Sequence, residues 1–165
     1  ALLQMGAAVT VTNQRDQAGE TVGDLHVQPG PLQATIVGGA QIPCLIDEVP
    51  ILAVVATQAE GATEIRDAAE LRVKESDRLA LMADGLRAMG AEVRELTDGL
   101  VITGPTPLHG ATLDAAQDHR IAMSFAVAGL IAKGETLITG AEAVDTSFPG
   151  FVSALRSLGA DVETA

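Results

Sequence analysis

A length of 165 residues with 47% apolar side chains is enough to build one hydrophobic core. Three Phe with no Trp or Tyr leave no platforms for stacked bases, and a net charge of −12 repels a phosphate backbone, so nucleic-acid binding is excluded. The single cysteine has no internal disulfide partner, no run of about 18 apolar residues reads as a membrane span, and no signal-like start is present; a cytoplasmic chain with no membrane partner is expected.

In chain order, the opening Ala1-Leu2-Leu3-Gln4-Met5-Gly6 reads as the end of a helix rather than the start of a protein, which suggests an excised portion of a longer chain. The same turn then recurs. Met5-Gly6-Ala7-Ala8-Val9 is echoed by Met89-Gly90-Ala91-Glu92-Val93 and by Leu158-Gly159-Ala160-Asp161-Val162, each a helix end at glycine feeding a strand. Pro31-Leu32-Gln33-Ala34-Thr35-Ile36 resembles the stretch from Pro107 to Leu113, and Ala59-Glu60-Gly61 resembles Ala132-Lys133-Gly134, read as a buried helix ending at glycine. These echoes describe one α/β domain over 1–165 made of two repeats, approximately 7–90 and 91–165. Each repeat runs strand, strand, strand, buried helix, strand, amphipathic helix. Near 75–89, Leu79, Met82, Leu86 and Met89 fall on one helical face. Over 118–132 the residues are apolar almost all round, so that helix is expected to be buried on every side.

Three segments carry chemistry. The first runs from Glu70 to Arg78 and contains Arg72, Lys74 and Arg78, three of the chain's ten Lys and Arg. A solvated loop capped by Ser76 or Asp77 is the ordinary account. Cations at a helix start oppose the macrodipole, however, and make sense where an anion is held by side chains and free backbone N–H groups. The second is Asp118-His119-Arg120, where Asp118 suits an N-cap and Arg120 occupies the first turn of an apolar helix. Arg120 either pairs with Asp118 or presents its fork to a carboxylate or phosphate. The third is Asp47-Glu48-Val49-Pro50, in which Asp47 suits an N-cap and Pro50 a first helical turn. The repeat match places Asp47 and Arg120 at the start of equivalent helices, so both could face one cleft. Cys44 reads as a packed thiol and His26 and His109 as solvated turn residues. No phosphate loop or dinucleotide fingerprint is present.

The stretch from Leu71 to Arg78 (Leu-Arg-Val-Lys-Glu-Ser-Asp-Arg), the stretch from Asp118 to Met123 (Asp-His-Arg-Ile-Ala-Met) and the stretch from Asp47 to Ala53 are similar to three motifs of the 5-enolpyruvylshikimate-3-phosphate synthases, in family order and spacing. The resemblance covers the chain end to end and corresponds to the C-terminal part of the family, with the N-terminal portion absent. It implies repeated βαβαββ units forming part of an inside-out α/β barrel. It also implies transfer of the enolpyruvyl group of phosphoenolpyruvate to the 5-hydroxyl of shikimate 3-phosphate, with release of phosphate, no metal or organic cofactor, and glyphosate as an inhibitor.

By the same resemblance Asp47 binds the shikimate hydroxyl and takes its proton, Glu75 handles the proton at the methylene carbon, and Lys74 lies near both substrates. Arg78 and Arg120 clamp phosphoenolpyruvate, with His119 adjacent. Two positions depart from some family members: Thr146 stands where a lysine helps bind phosphoenolpyruvate, and Glu70 where an asparagine contacts shikimate 3-phosphate. The fragment alone is expected to be inactive and to need the N-terminal half of the same enzyme. The alternatives are a folded, non-catalytic fragment that associates with a partner half or with itself, and the sister UDP-N-acetylglucosamine enolpyruvyl transferase.

Overall fold

A computed structural model describes residues 1–164. The first two strands, β1 (Ala8–Gln17) and β2 (Glu20–Gln28), form an antiparallel hairpin. Its two-residue turn has both central residues at positive φ, Ala18 at 55° and Gly19 at 85°, a geometry that matches the twist of the strands. Alternation sets its faces. Val9 stands opposite Val27 and Val11 opposite Leu25 on one side, while Thr10–His26 and Thr12–Asp24 occupy the other.

The central sheet is mixed. Its order is β3 (Leu32–Gln33), β5 (Ala59–Ile65), β7 (Gly99–Gly104), β6 (Glu92–Leu96), with β4 (Ile36–Val37) also paired to β5. Strands β3 and β4 run parallel to β5, and β7 and β6 are antiparallel. A separate parallel pair joins β8 (Thr112–Asp114) to β9 (Leu137–Thr139).

Among the described residues there are six α-helices beside these strands. They are α1 (Ile42–Leu45), α2 (Val49–Ala56), α3 (Arg78–Ala88), α4 (His119–Gly129), α5 (Val144–Ser147) and α6 (Phe151–Ser157). Helices α2, α3 and α4 meet one another and hold a large part of the core: Leu52, Ala53, Leu79, Met82, Leu86, Ile121 and Phe125 are all buried. The expected face of α3 is therefore the face that packs, because apolar residues three or four apart line one side of a helix. A repeated device closes α3 and α6: Arg87 Nε donates to the Val93 carbonyl at 2.9 Å, and Arg156 Nε donates to the Val162 carbonyl at 2.7 Å.

Several expectations change. Residues 2–6 form a turn rather than a complete helix end, although Gly6 keeps a positive φ of 83°. Helix α4 is not buried on every side. Ile121, Ala122, Ser124, Phe125 and Ala128 are buried, while Met123, Ala126 and Val127 are only half-buried, although α2, α3, α5 and β9 all pack against the helix. Helix α2 ends at Ala56, and Gly61 lies inside β5 instead of ending the helix. Cys44 is exposed on the short helix α1, whose Ile42 takes the inward position. The segment Gly39–Ala56 has a mean hydropathy of 1.5 over 18 residues, enough by length and composition for a membrane span. It carries Asp47 and Glu48 at a 3-10 turn in its middle, however, and sends Val49, Leu52, Ala53 and Val54 into the core, so it is a core segment of this fold.

The closest helix approach makes a stability prediction. A Cβ on Gly85 of α3 would stand 2.2 Å from Cζ of Phe125 on α4, a residue only 1% exposed, so the ring would have to shift. Gly85→Ala is expected to destabilise the fold by about 1–3 kcal/mol despite the better helix propensity of alanine, seen as a lower midpoint in thermal or urea unfolding. An equal or higher midpoint would show that the α3–α4 contact is looser than described.

Candidate active site

The three chemistry-bearing segments converge at the N-terminal ends of α2, α3 and α4. Asp47 lies in the 3-10 turn Ile46–Glu48 just ahead of α2, where Pro50 needs no N–H partner in the first turn. Glu75 and Ser76 follow the 3-10 turn Ala69–Val73 and lead into α3, which Asp77 caps by accepting the Ala80 N–H at 3.0 Å. Asp118 caps α4, accepting the Arg120 N–H at 2.9 Å and the Ile121 N–H at 3.4 Å.

Arg78 is the centre of this meeting. Its side chain is 1% exposed. Nε donates to Asp118 Oδ2 at 2.7 Å, Nη2 donates to Asp118 Oδ1 at 3.3 Å and to Glu75 Oε2 at 2.6 Å, and Nη1 donates to Asp47 Oδ1 at 3.1 Å. A guanidinium has five N–H donors, so these contacts leave one of them for anything else. Ser76 Oγ adds a donor to Asp118 Oδ2 at 2.8 Å.

Burial by itself pushes the Asp118 carboxyl up, but the Arg78 and Ser76 hydrogen bonds outweigh it and hold the group below the usual carboxylate range. Burial likewise opposes the charge on Arg78, and the hydrogen bond it donates to Asp118, together with the nearby charges of Asp118, Glu75 and Asp47, more than restores it. Of the two alternatives for Arg120, a side-chain pair with Asp118 is therefore not the one that forms. Asp118 takes Arg78, while Arg120 contributes only its backbone N–H to that carboxylate.

Asp47 does not cap α2; Glu48 holds that position and no side chain bonds the first turn. The carboxylate of Asp47 turns to Arg78 instead, where a buried cation offers more than a backbone N–H. Arg120 comes to the same corner. Its Nη1 donates to the Asp47 carbonyl at 2.9 Å and to Glu48 Oε1 at 3.3 Å, and its Nη2 lies 3.7 Å from Asp47 Oδ2. Asp47 and Arg120, placed at equivalent helix starts by the sequence repeat, do meet.

Lys74 Nζ lies 2.6 Å from Glu70, whose hydrogen bond raises the lysine above its usual range. Of the three cations in that segment, Arg72 is elsewhere. It binds the Thr97 and Leu96 carbonyls, Glu95 and Asp77, fastening the segment to the β6–β7 turn. His119, the first residue of α4, is half-buried beside Asp118.

The resulting face has a buried floor of Arg78 and Asp118. Its partly exposed rim is Asp47, Glu48, Glu75, Lys74 and Arg120. It is open; the concave surfaces lined by Leu81, Gly85 and Phe125 and by Gly38, Gln41 and Arg66 lie away from it. Carboxylates outnumber cations around it, Glu70 included. Among the described residues no group of three or more His, Cys, Asp or Glu is set to hold a metal ion. Three participants were not singled out from sequence: Glu48, Ser76 as a donor to Asp118, and Asp118 as the partner of Arg78. All three sit inside the motifs, but only the fold shows which side chains they reach.

Two tests follow from the buried pair. Arg78→Met would strand the Asp118 carboxylate and is expected to cost about 3–5 kcal/mol in unfolding free energy, whereas an exposed pair such as Arg87–Asp84 would cost under about 1 kcal/mol. Asp118 is depressed on folding, so its contribution is complete above the unfolded carboxylate pKa of about 3.9 and is lost as pH falls through the lower folded value. Acid unfolding of the native chain should therefore steepen below about pH 4, and that step should be missing in Asp118→Asn.

Comparison with known proteins now bears on this geometry. The family described as EPSP synthase (3-phosphoshikimate 1-carboxyvinyltransferase) matches residues 1–155. A 3-phosphoshikimate 1-carboxyvinyltransferase of Synechococcus sp. (strain RCC307) is 58% identical over 157 residues, 95% of this chain and 36% of the relative. That of Desulforudis audaxviator (strain MP104C) is 52% identical over 158 residues, 96% of this chain and 37% of the relative. An EPSP synthase structure from Acinetobacter baumannii superposes with a TM-score of 0.92 at 40% identity, covering 99% of this chain and 38% of that one. The enolpyruvyl transferase NikO from Streptomyces tendae superposes at 0.75 with 28% identity, covering 98% and 34%. The chain thus spans a little over a third of the length of the relatives it matches, and it belongs to the EPSP synthase family.

Proposed function

We propose that this chain supplies one wall of an enolpyruvyl transferase site, which transfers the enolpyruvyl group of phosphoenolpyruvate to the 5-hydroxyl of shikimate 3-phosphate and releases phosphate. The observation that carries the reading is the meeting of Asp47, Glu75, Lys74, Arg78 and Arg120, from three separate motifs, around one face. In this scheme the Asp47 carboxylate accepts the hydroxyl proton as the oxygen adds to C2 of phosphoenolpyruvate, and Glu75 delivers a proton to the C3 methylene. Loss of phosphate with return of the C3 proton to Glu75 completes the transfer. Lys74 lies between the two substrates. Arg120, a third exposed and anchored through Asp47 and Glu48, is the flexible half of an anion clamp, with His119 adjacent. Arg78 contributes its one remaining N–H and, more importantly, holds both proton-transfer carboxylates.

The charge balance supports an incomplete site. Two anionic substrates cannot be gathered by a face on which carboxylates outnumber cations, so further cations must come from the rest of the enzyme. The unpaired surfaces point the same way. The central sheet shows a hairpin (β6–β7) joined to strands β3, β4 and β5; the β1–β2 hairpin has no such strands beside it, and β8–β9 has no such hairpin. Val11, Leu25 and Val27 on β1–β2 are 53%, 69% and 64% exposed as a result. In this reading the chain consists of two βαβαββ repeats, approximately 7–90 and 91–165, from an inside-out α/β barrel. The N-terminal portion of the enzyme provides the missing strands, the second wall and most of the shikimate 3-phosphate contacts. Glyphosate would compete at the phosphoenolpyruvate side, where Thr146, exposed on α5, stands in place of a lysine.

Phosphate release from phosphoenolpyruvate and shikimate 3-phosphate is the test. The chain alone should release none, and the mixture with its N-terminal portion should turn over. Glu75→Gln in the mixture should lower kcat by about 100-fold or more. Silence of the mixture when both parts are folded and associated would sink the catalytic reading and leave a folded fragment that only binds its partner. Near-normal turnover of Glu75→Gln would remove that residue from the proton transfer.

A further inference from the structure

Asp118 does more than cap a helix. Asp77, which caps α3, shows what a cap requires: one backbone N–H and an exposed ion pair with Arg72, the carboxylate being 40% exposed. Asp118 is fully buried and engaged on both oxygens. Oδ2 accepts from Arg78 Nε and Ser76 Oγ, and Oδ1 accepts from Arg78 Nη2 and from the N–H groups of Arg120 and Ile121. One carboxylate therefore bonds the side chain of one arginine of the face and the backbone of the other.

The far side of the Arg78 guanidinium holds Asp47 and Glu75, and the far end of the Arg120 side chain holds the Asp47 carbonyl. These contacts close a ring through Asp118, Arg78, Asp47 and Arg120. We propose that Asp118 is the positioning residue of this face: its buried carboxylate holds the Arg78 fork and the first turn of α4 as one unit, and so fixes where both arginines stand relative to Asp47 and Glu75. The inference rests on the reading of the face as a phosphoenolpyruvate site only where anion binding is concerned; the arrangement of the two arginines is independent of it.

Asp118→Asn is the informative change. Asparagine caps a helix as well as aspartate does, so α4 keeps its start, but it offers one accepting oxygen and turns an NH2 group toward a guanidinium that can only donate. The Arg78 fork would then relax toward Asp47 and Glu75, and Arg120, whose side chain bonds Asp47, would shift with it.

The experiment is NMR of the arginine Nε–H groups in this chain, native and as Asp118→Asn, Ser76→Ala and Asp77→Asn, followed by titration with inorganic phosphate. In the native chain the Arg78 Nε–H should exchange far more slowly than those of exposed arginines. In Asp118→Asn that protection should fall by about tenfold or more, and the Arg120 Nε signal should shift with it. Ser76→Ala should move both signals the same way by less, and Asp77→Asn should move neither.

Phosphate affinity in Asp118→Asn should weaken by about tenfold, and in the mixture with the N-terminal portion KM for phosphoenolpyruvate should rise similarly while that for shikimate 3-phosphate stays within about twofold. A folded Asp118→Asn chain with both arginine signals in place would reduce Asp118 to a cap. If that variant does not fold, unmoved Arg78 and Arg120 signals in Ser76→Ala would overturn the proposal equally. A native chain whose arginine signals ignore phosphate and phosphoenolpyruvate, even with the N-terminal portion present, would count against the substrate reading and not against the positioning role, which the ligand-free signals decide.

Discussion

A buried arginine facing a buried aspartate is the constraint on which the rest of this chain is arranged. Removing two charges from water costs several kcal/mol each, and attraction between them offsets that cost only with good geometry and with further hydrogen bonds to most of the remaining donors and acceptors. Arg78 and Asp118 meet those terms through a two-pronged contact, Ser76 and two backbone N–H groups on one side, and Asp47 and Glu75 on the other. The pair is therefore less a source of stability than of uniqueness. Any register of α2, α3 and α4 other than this one would leave an unpaired charge in the core.

The pair also sets the polarity of the face above it. Because the buried aspartate already neutralises the buried arginine, the rim behaves as an excess of carboxylates around Lys74 and Arg120. That arrangement suits proton transfer and is poorly suited to collecting anions. In the proposed reading, preorganised cations come from across the cleft, in keeping with a chain spanning about 36% of a relative's length. The same incompleteness is written in the apolar surfaces: the valines and leucine of the β1–β2 hairpin and the half-buried side of α4 are shaped for packing that this chain does not provide.

Local patterns were legible wherever the cause was local. Helix α3 was visible from four apolar residues at helical spacing, and its cap was narrowed to Ser76 or Asp77 by residue type. The three motifs gathered the charged groups, and the internal echoes put Asp47 and Arg120 at equivalent helix starts. The errors share a cause. Asp47 has the chemistry of a cap, and Cys44 the usual burial of a small thiol, but neither preference is worth more than about 1–2 kcal/mol, and contacts made later in the chain override them. Helix α4 has an apolar composition almost all round, yet Met123, Ala126 and Val127 stay half-buried in this chain.

The amino-acid sequence by itself determined the α/β character, the family, the identity of the chemical groups and the fact that they lie at helix starts, since those follow from periodicity, glycine and proline placement and motif spelling. Only the tertiary structure decided which carboxylate faces which arginine. Asp118 and Asp47 are both acids beside helix N-termini, and nothing in their neighbours along the chain separates the buried counter-ion from the partly exposed one. Burial and the direction of a guanidinium fork are properties of three segments meeting in space, and they exist only once α2, α3 and α4 have packed.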